Sequence, residues 1–109
     1  YGFLTGAYSA DELFDKQDQR SKWSSQQIER WANAYMVFLE NLSLEEQYTG
    51  TQLALRFCLS YPGVSTVIPG MLTEEHVIEN VASIRAGVLS PKILQSIGNT
   101  YQRNVFFGN

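Results

Sequence analysis

A chain of 109 residues is at most one domain, with room for a modest core. Its 44% hydrophobic and 17% charged residues make a globular balance, and a net charge of −3 with no basic stripe argues against a nucleic-acid partner. No apolar run is long enough to span a bilayer and no signal-peptide pattern opens the chain, so a cytoplasmic protein without a membrane partner is expected. The single cysteine, Cys58, sits among Leu55, Phe57 and Leu59 and reads as a buried, inert thiol. Structure-like sequence begins at once at Tyr1, which reads as a fragment, one partial domain over residues 1–109.

Residues 1–8 place Gly2 and Gly6 around apolar side chains, the composition of a loop or turn. Residues 9–22 are polar without a period and read as surface loop. Ser24 or Ser25 can cap a long helix, whose stripe is Ile28, Trp31, Ala32, Tyr35, Phe38, Leu39 and Leu42. That helix is expected to run to about Gln47 and to stop at Gly50 as a left-handed cap. A second helix over residues 52–60 is apolar nearly all round, as in a helix covered on several sides. Tyr61-Pro62-Gly63 then turns into the one strand pattern in the chain, residues 64–68, where Val64, Thr66, Val67 and Ile68 suit a packed sheet.

Pro69 and Gly70 end that strand, and Thr73 caps a helix over residues 74–84 with Glu74 and Glu75 in its first turn. Its expected packing face is Val77, Ile78, Val81 and Ile84. Gly87 breaks the helix. Ser90-Pro91 starts a last helix over residues 92–103, with Ile93, Leu94, Ile97 and Tyr101 on one side, and Val105-Phe106-Phe107 forms an apolar tail. A strand feeding a helix N-terminus offers free amides to an anion. Four helices and about one strand make an isolated unit that is mainly helical, yet the helix–turn–strand–helix series reads as a slice of a larger α/β fold.

In this order stand Gly2-Phe-Leu-Thr-Gly6, Asp18-Gln-Arg20, Leu53-Ala-Leu-Arg-Phe-Cys-Leu-Ser60, Pro62-Gly-Val-Ser-Thr-Val-Ile-Pro-Gly70 and Glu79-Asn80. With them the whole chain resembles the C-terminal part of an aldo-keto reductase. The resemblance implies an α/β fold, the C-terminal part of a TIM (β/α)8 barrel of about 250 residues, with residues 64–68 as its eighth strand. It also implies an oxidoreductase that reduces carbonyls by hydride transfer from NADPH. The family's Asp, Tyr, Lys and His tetrad would precede Tyr1, so no catalytic residue and no metal ligand is expected here, and the chain alone should be inactive. The carbonyl substrate would bind through the missing part.

The cofactor residues implied by resemblance are Gly2, Leu4, Thr5, Gly6, Arg20, Gly70, Leu72, His76, Glu79 and Asn80. Gly2–Gly6 resembles the loop over the cofactor pyrophosphate, and Arg20 resembles a loop arginine that reaches the cofactor. Positions 72, 76 and 79/80 share one helical stripe, which in the family meets the adenosine 2′-phosphate and adenine. Leu72 stands where many members carry Arg, Lys or Ser, and leucine donates no hydrogen bond, so NADH is the alternative to NADPH. His76 stands where Gln is common and reads as a cofactor contact rather than a catalyst. Trp23 and Trp31 read as packing anchors.

Two further readings stand beside the reductase. One is a non-catalytic module that senses or stores the cofactor, as the resemblance to channel-associated β subunits of the family implies. The other is a fragment stable only through self-association of its exposed apolar faces.

Overall fold

The computed structural model describes residues 1–40, 42 and 48–108. Four α-helices carry the chain: α1 (Ser25–Leu39), α2 (Gly50–Leu59), α3 (Glu74–Arg85) and α4 (Pro91–Arg103). Two 3-10 turns, Phe3–Thr5 and Gln19–Lys22, precede them. Each helix starts where a short polar side chain can satisfy a free amide. Ser24 accepts from Gln27 N, Thr73 from His76 N, and Ser90 from Ile93 N with proline in the first turn of α4. Thr49 and Gln52 form a reciprocal capping box at the start of α2. Gly87, at φ 78, turns the chain away after α3 as expected of a left-handed glycine.

α1 is shorter than its apolar period suggests. It ends at Leu39 with Glu40 as its cap, and residues 41 and 43–47 of the expected helix lie outside the described residues. The stripe is shared between two cores. Ile28 and Ala32 pack with Phe3, flanked by Tyr8, Phe14 and Trp31. Phe38 and Leu39 pack on Leu53, Leu89, Ile93 and Ile97 from α2, α4 and their connection. Burying a side chain of this size contributes about 1.5–3 kcal/mol, so both clusters matter to a chain with a modest core.

The tail closes the second cluster. Phe106 stacks between Phe38 and Tyr101, with ring centroids 5.0 and 5.6 Å away. Gln27 is buried and brackets the tail backbone: its Nε2 donates to Phe106 O at 2.7 Å, and its Oε1 accepts from Gly108 N at 3.0 Å. Trp23 and Trp31 meet edge to face at 4.9 Å, the packing role expected of them.

Five expectations are corrected. Residues 64–68 form no ladder, and no strand occurs among the described residues. β-branched residues favour a sheet, but a strand exists only where a second backbone receives its N–H and C=O groups. The supposed packing face of α3 is exposed, with Val77, Ile78, Val81 and Ile84 at 42, 62, 43 and 62%. α3 lies against α2, and the residues it buries are the polar Asn80 and Ser83. α2 is covered less completely than an all-round apolar helix implies, because Ala54, Leu55, Phe57 and Leu59 are only half-buried. Cys58 is exposed on that same helix.

The fifth correction concerns Gly50. It has no positive φ and caps nothing; it is the first residue of α2 and lies against the backbone of Leu4. A Cβ there would sit 2.1 Å from Leu4 O. Glycine is required by proximity, not by a left-handed turn.

Surface area shows how many faces remain uncovered. A compact monomer of this mass presents roughly 6,100 Å². This chain presents 7960 Å², with a radius of gyration of 14.5 Å against roughly 13 Å for a compact domain of its length.

Candidate functional site

The expected site residues fall on one connected edge, and the connection runs through residues that sequence reasoning left aside. At one end the Phe3–Thr5 turn is framed by Gly2 and Gly6, at φ 80 and 76. Glycine is needed twice over at position 6, where a Cβ would meet the Tyr35 ring at 2.7 Å. The Thr5 hydroxyl donates to Gly2 O at 2.6 Å and accepts from Ala7 N at 3.2 Å, while Thr5 N and Gly6 N bond within the turn. The donors expected to face a pyrophosphate therefore close the turn itself.

Arg20 is held beside that loop. Its Nε and Nη2 donate to the two carboxylate oxygens of Asp18 at 2.9 and 2.6 Å. Its Nη1 donates to Tyr1 O at 3.4 Å and to the Tyr8 hydroxyl. The guanidinium also lies 4.7 and 4.4 Å from the Tyr8 and Phe14 ring centres, within cation–π range. The bidentate hydrogen bond from Arg20 holds the Asp18 carboxyl down at about 2 and raises the guanidinium pKa in turn.

The link to α3 passes through the start of α2. Leu4 O abuts Gly50, and the preceding residue, Thr49, donates its hydroxyl to Glu79 Oε1 at 2.6 Å. Thr49 thus caps α2 and fixes a side chain of α3 together. The Thr49-x-x-Gln52 capping-box spacing was the available signal for its first role; nothing local signals the second. Arg56, also overlooked, is buried. It donates to Gly87 O at 2.7 Å and Val88 O at 3.2 Å and lies over the Tyr48 ring, pinning the α3–α4 connection to α2.

At the far end, Gly70 is exposed, and a Cβ there would have nothing within 4 Å. Its carbonyl accepts from Asn80 Nδ2 at 3.3 Å, which ties the loop back onto α3 and keeps Asn80 buried. Leu72 is 94% exposed, and its amide donates to His76 Nδ1 at 3.2 Å. Glu75 is held below the usual carboxylate range by its own backbone amide, then by the Thr73 hydroxyl, with His76 adding a smaller effect. Open clefts of about 240 Å³ beside Lys92 and Arg103, and about 450 Å³ between Arg30 and Val105, include none of these residues. The edge is a surface ridge, suited to one side of an extended ligand rather than to enclosing a small one.

A family model described as "Aldo/keto reductase family" matches residues 1–101. The chain belongs to that family. No curated protein and no solved structure gave a match. Aldo/keto reductases generally use NAD(P)H and act on carbonyl substrates, so membership connects the chain with an oxidoreductase. Within the aldo/keto reductase chain the described helices supply no stretch long and apolar enough to cross a membrane.

Of the groups a cofactor would need, this edge offers some and lacks one. The backbone at Gly70 is unshielded, and His76 Nε2 and Glu79 stand on one stripe of α3. A cation for a phosphate is missing from its α3 end before Arg85. Between residues 57 and 84 there is no Lys or Arg, whereas Glu74, Glu75 and Glu79 all lie there. The residues fit a ribose and a base better than a dianion.

Proposed function

We propose that this chain is the C-terminal, cofactor-binding portion of an NAD(P)H-dependent aldo-keto reductase, one partial domain of a (β/α)8 barrel. In this reading residues 64–68 are a barrel strand whose neighbours lie in other parts of the protein. Gly2, Leu4, Thr5, Gly6 and Arg20 approach the pyrophosphate, and Gly70, Leu72, His76, Glu79 and Asn80 approach the adenosine. The cofactor supplies the hydride when bound. The residues described here orient its adenosine end, and the proton-transferring tetrad belongs to preceding strands, so residues 1–109 reduce no carbonyl alone.

The observation that carries the reading is the continuity of the edge: Arg20, Tyr8, the Gly2–Gly6 loop, Gly50, Thr49 and Glu79 touch in sequence within a chain whose residues 1–101 match the family model. The exposed apolar face of α3 agrees with a helix that packs on a barrel. The test is to add NAD⁺ and NADP⁺ separately to the isotope-labelled chain and follow its backbone amides by NMR, then to assay NAD(P)H oxidation with an aldehyde. Perturbation confined to residues 2–6, 20 and 70–80, with no turnover, is expected. Carbonyl reduction by the purified 109-residue chain would refute the division of labour, and silence toward both nucleotides would refute the binding role.

The excess surface also favours a second reading, in which the Val77, Ile78, Val81 and Ile84 face associates with another copy. Sedimentation resolves it: a monomer that melts cooperatively at micromolar concentration rules it out.

A further inference from the structure

Among the described residues the two core clusters have no member in common, and the tail after α4 crosses between them. Asn104 fixes its exit by donating Nδ2 to Thr100 O at 2.8 Å, and residues 105–108 then lie back along α1. Phe106 is buried between Phe38 and Tyr101, on the side of the cluster built from α2 and α4. Phe107, the next residue, meets Trp31 edge-on at 5.8 Å. Trp31 belongs to the other side: its ring lies 5.4 Å from Phe3, 4.9 Å from Trp23 and parallel to Tyr1 at 6.3 Å. Phe3 is the buried first residue of the turn that Gly2 and Gly6 frame. Ring contacts therefore run from Tyr101 and Phe38, through the tail, to Trp31 and the N-terminal turn.

The hold on the tail is light. Val105 and Phe107 are exposed, and the two hydrogen bonds that the tail makes among the described residues both go to Gln27. A segment held by so few contacts opens locally at lower cost than the helices it lies on. It can leave while α1 and α4 stay folded, and its departure uncovers one edge of Trp31. We propose that the tail is a clasp: docking of Phe107 on Trp31 tightens the N-terminal turn, and release of the tail loosens it. Such coupling is reciprocal, so disturbing Trp31 from the turn side weakens the hold on the tail. The clasp rests on packing alone, whatever ligand the turn meets.

Amide hydrogen exchange followed by NMR reads both ends. The Thr5 and Gly6 amides bond within the turn, the Gly108 amide bonds to Gln27, and the Leu53 amide in α2 serves as the reference for global opening. Phe107→Ala removes an exposed ring and leaves the buried Phe106 anchor in place. Exchange at Thr5 and Gly6 should then rise about two- to tenfold, the worth of one aromatic pair. Val105→Ala, in the same tail but without a ring on Trp31, should leave those amides unchanged. Tyr1→Ala, which removes the ring parallel to Trp31, should speed exchange at Gly108 by a similar factor. Wild-type rates at Thr5 and Gly6 in Phe107→Ala, or an equal rise in Val105→Ala, overturn the clasp. So does a rise shared equally by Leu53, or a Tyr1→Ala chain in which Gly108 exchanges at the wild-type rate.

Discussion

Gly50→Ala is the most informative single perturbation, because one methyl group would push apart the two segments that hold the site together. The new Cβ would lie 2.1 Å from Leu4 O and 3.2 Å from the carbonyl carbons of Leu4 and Thr5. An unstrained carbon–oxygen contact needs roughly 3.2 Å, so the loop or α2 must retreat by about 1 Å. The atoms in the way are backbone and cannot swing aside as a side chain could. Forced insertion of a methyl group typically costs about 1–3 kcal/mol. Replacing glycine in a helix returns at most about 1 kcal/mol, and less at a first position.

The net expectation is destabilisation by about 1–2 kcal/mol. At roughly 4 °C or more per kcal/mol for a domain near this size, Tm falls by about 4–10 °C. Gly98→Ala is the matched control. Gly98 lies inside α4 with nothing within 4 Å of an added Cβ, so the same substitution should stabilise by about 0.5–1 kcal/mol and raise Tm. Thermal melts followed by circular dichroism at matched concentration compare the three chains. A Gly50→Ala chain that melts at or above the wild type would refute the argument that proximity, rather than turn geometry, requires glycine there.

Two further substitutions test the supports on either side. The hydrogen bonds from Arg20 hold the Asp18 carboxyl down at about 2, below its ordinary 3.8, so the pairing stabilises the fold above pH 4 and is lost as pH falls toward 2. Urea midpoints should drop across that window for the wild type and stay flatter for Asp18→Asn; parallel curves would show that the pair contributes nothing. Gln27→Ala removes both bonds to the tail and leaves the Phe106 carbonyl without its partner, a loss of about 1–3 kcal/mol, and limited proteolysis should then cut within residues 105–108 faster than in the wild type.

The parts of this fold that could be read from sequence are those set by local chemistry. Ser24, Thr73 and Ser90 cap helices because a hydroxyl three residues before an amide can reach it whatever the rest of the chain does. Gly87 ends α3 for an equally local reason. What failed needed information about partners. Val64, Thr66, Val67 and Ile68 carry a strand's composition, but composition records what environment suits them and not whether another strand is present. The apolar period of α3 likewise identifies a face without supplying what covers it. The resemblance named candidate site residues, whereas it gave nothing of the contacts that support them. Thr49, Asp18 and Tyr8 hold Glu79 and Arg20 across separations of 30, 2 and 12 residues, and only Asp18 is close enough in sequence to be guessed.

Arg20 shows why occupancy, more than identity, decides what such an edge can hold. An arginine in a loop would pass for a phosphate ligand on sequence alone. Here Asp18 supplies a carboxylate in the bidentate geometry that a phosphate would use, two residues away and without any entropy of association. Tyr1 O and Tyr8 engage Nη1, so an incoming phosphate must displace one of these partners rather than meet a waiting cation.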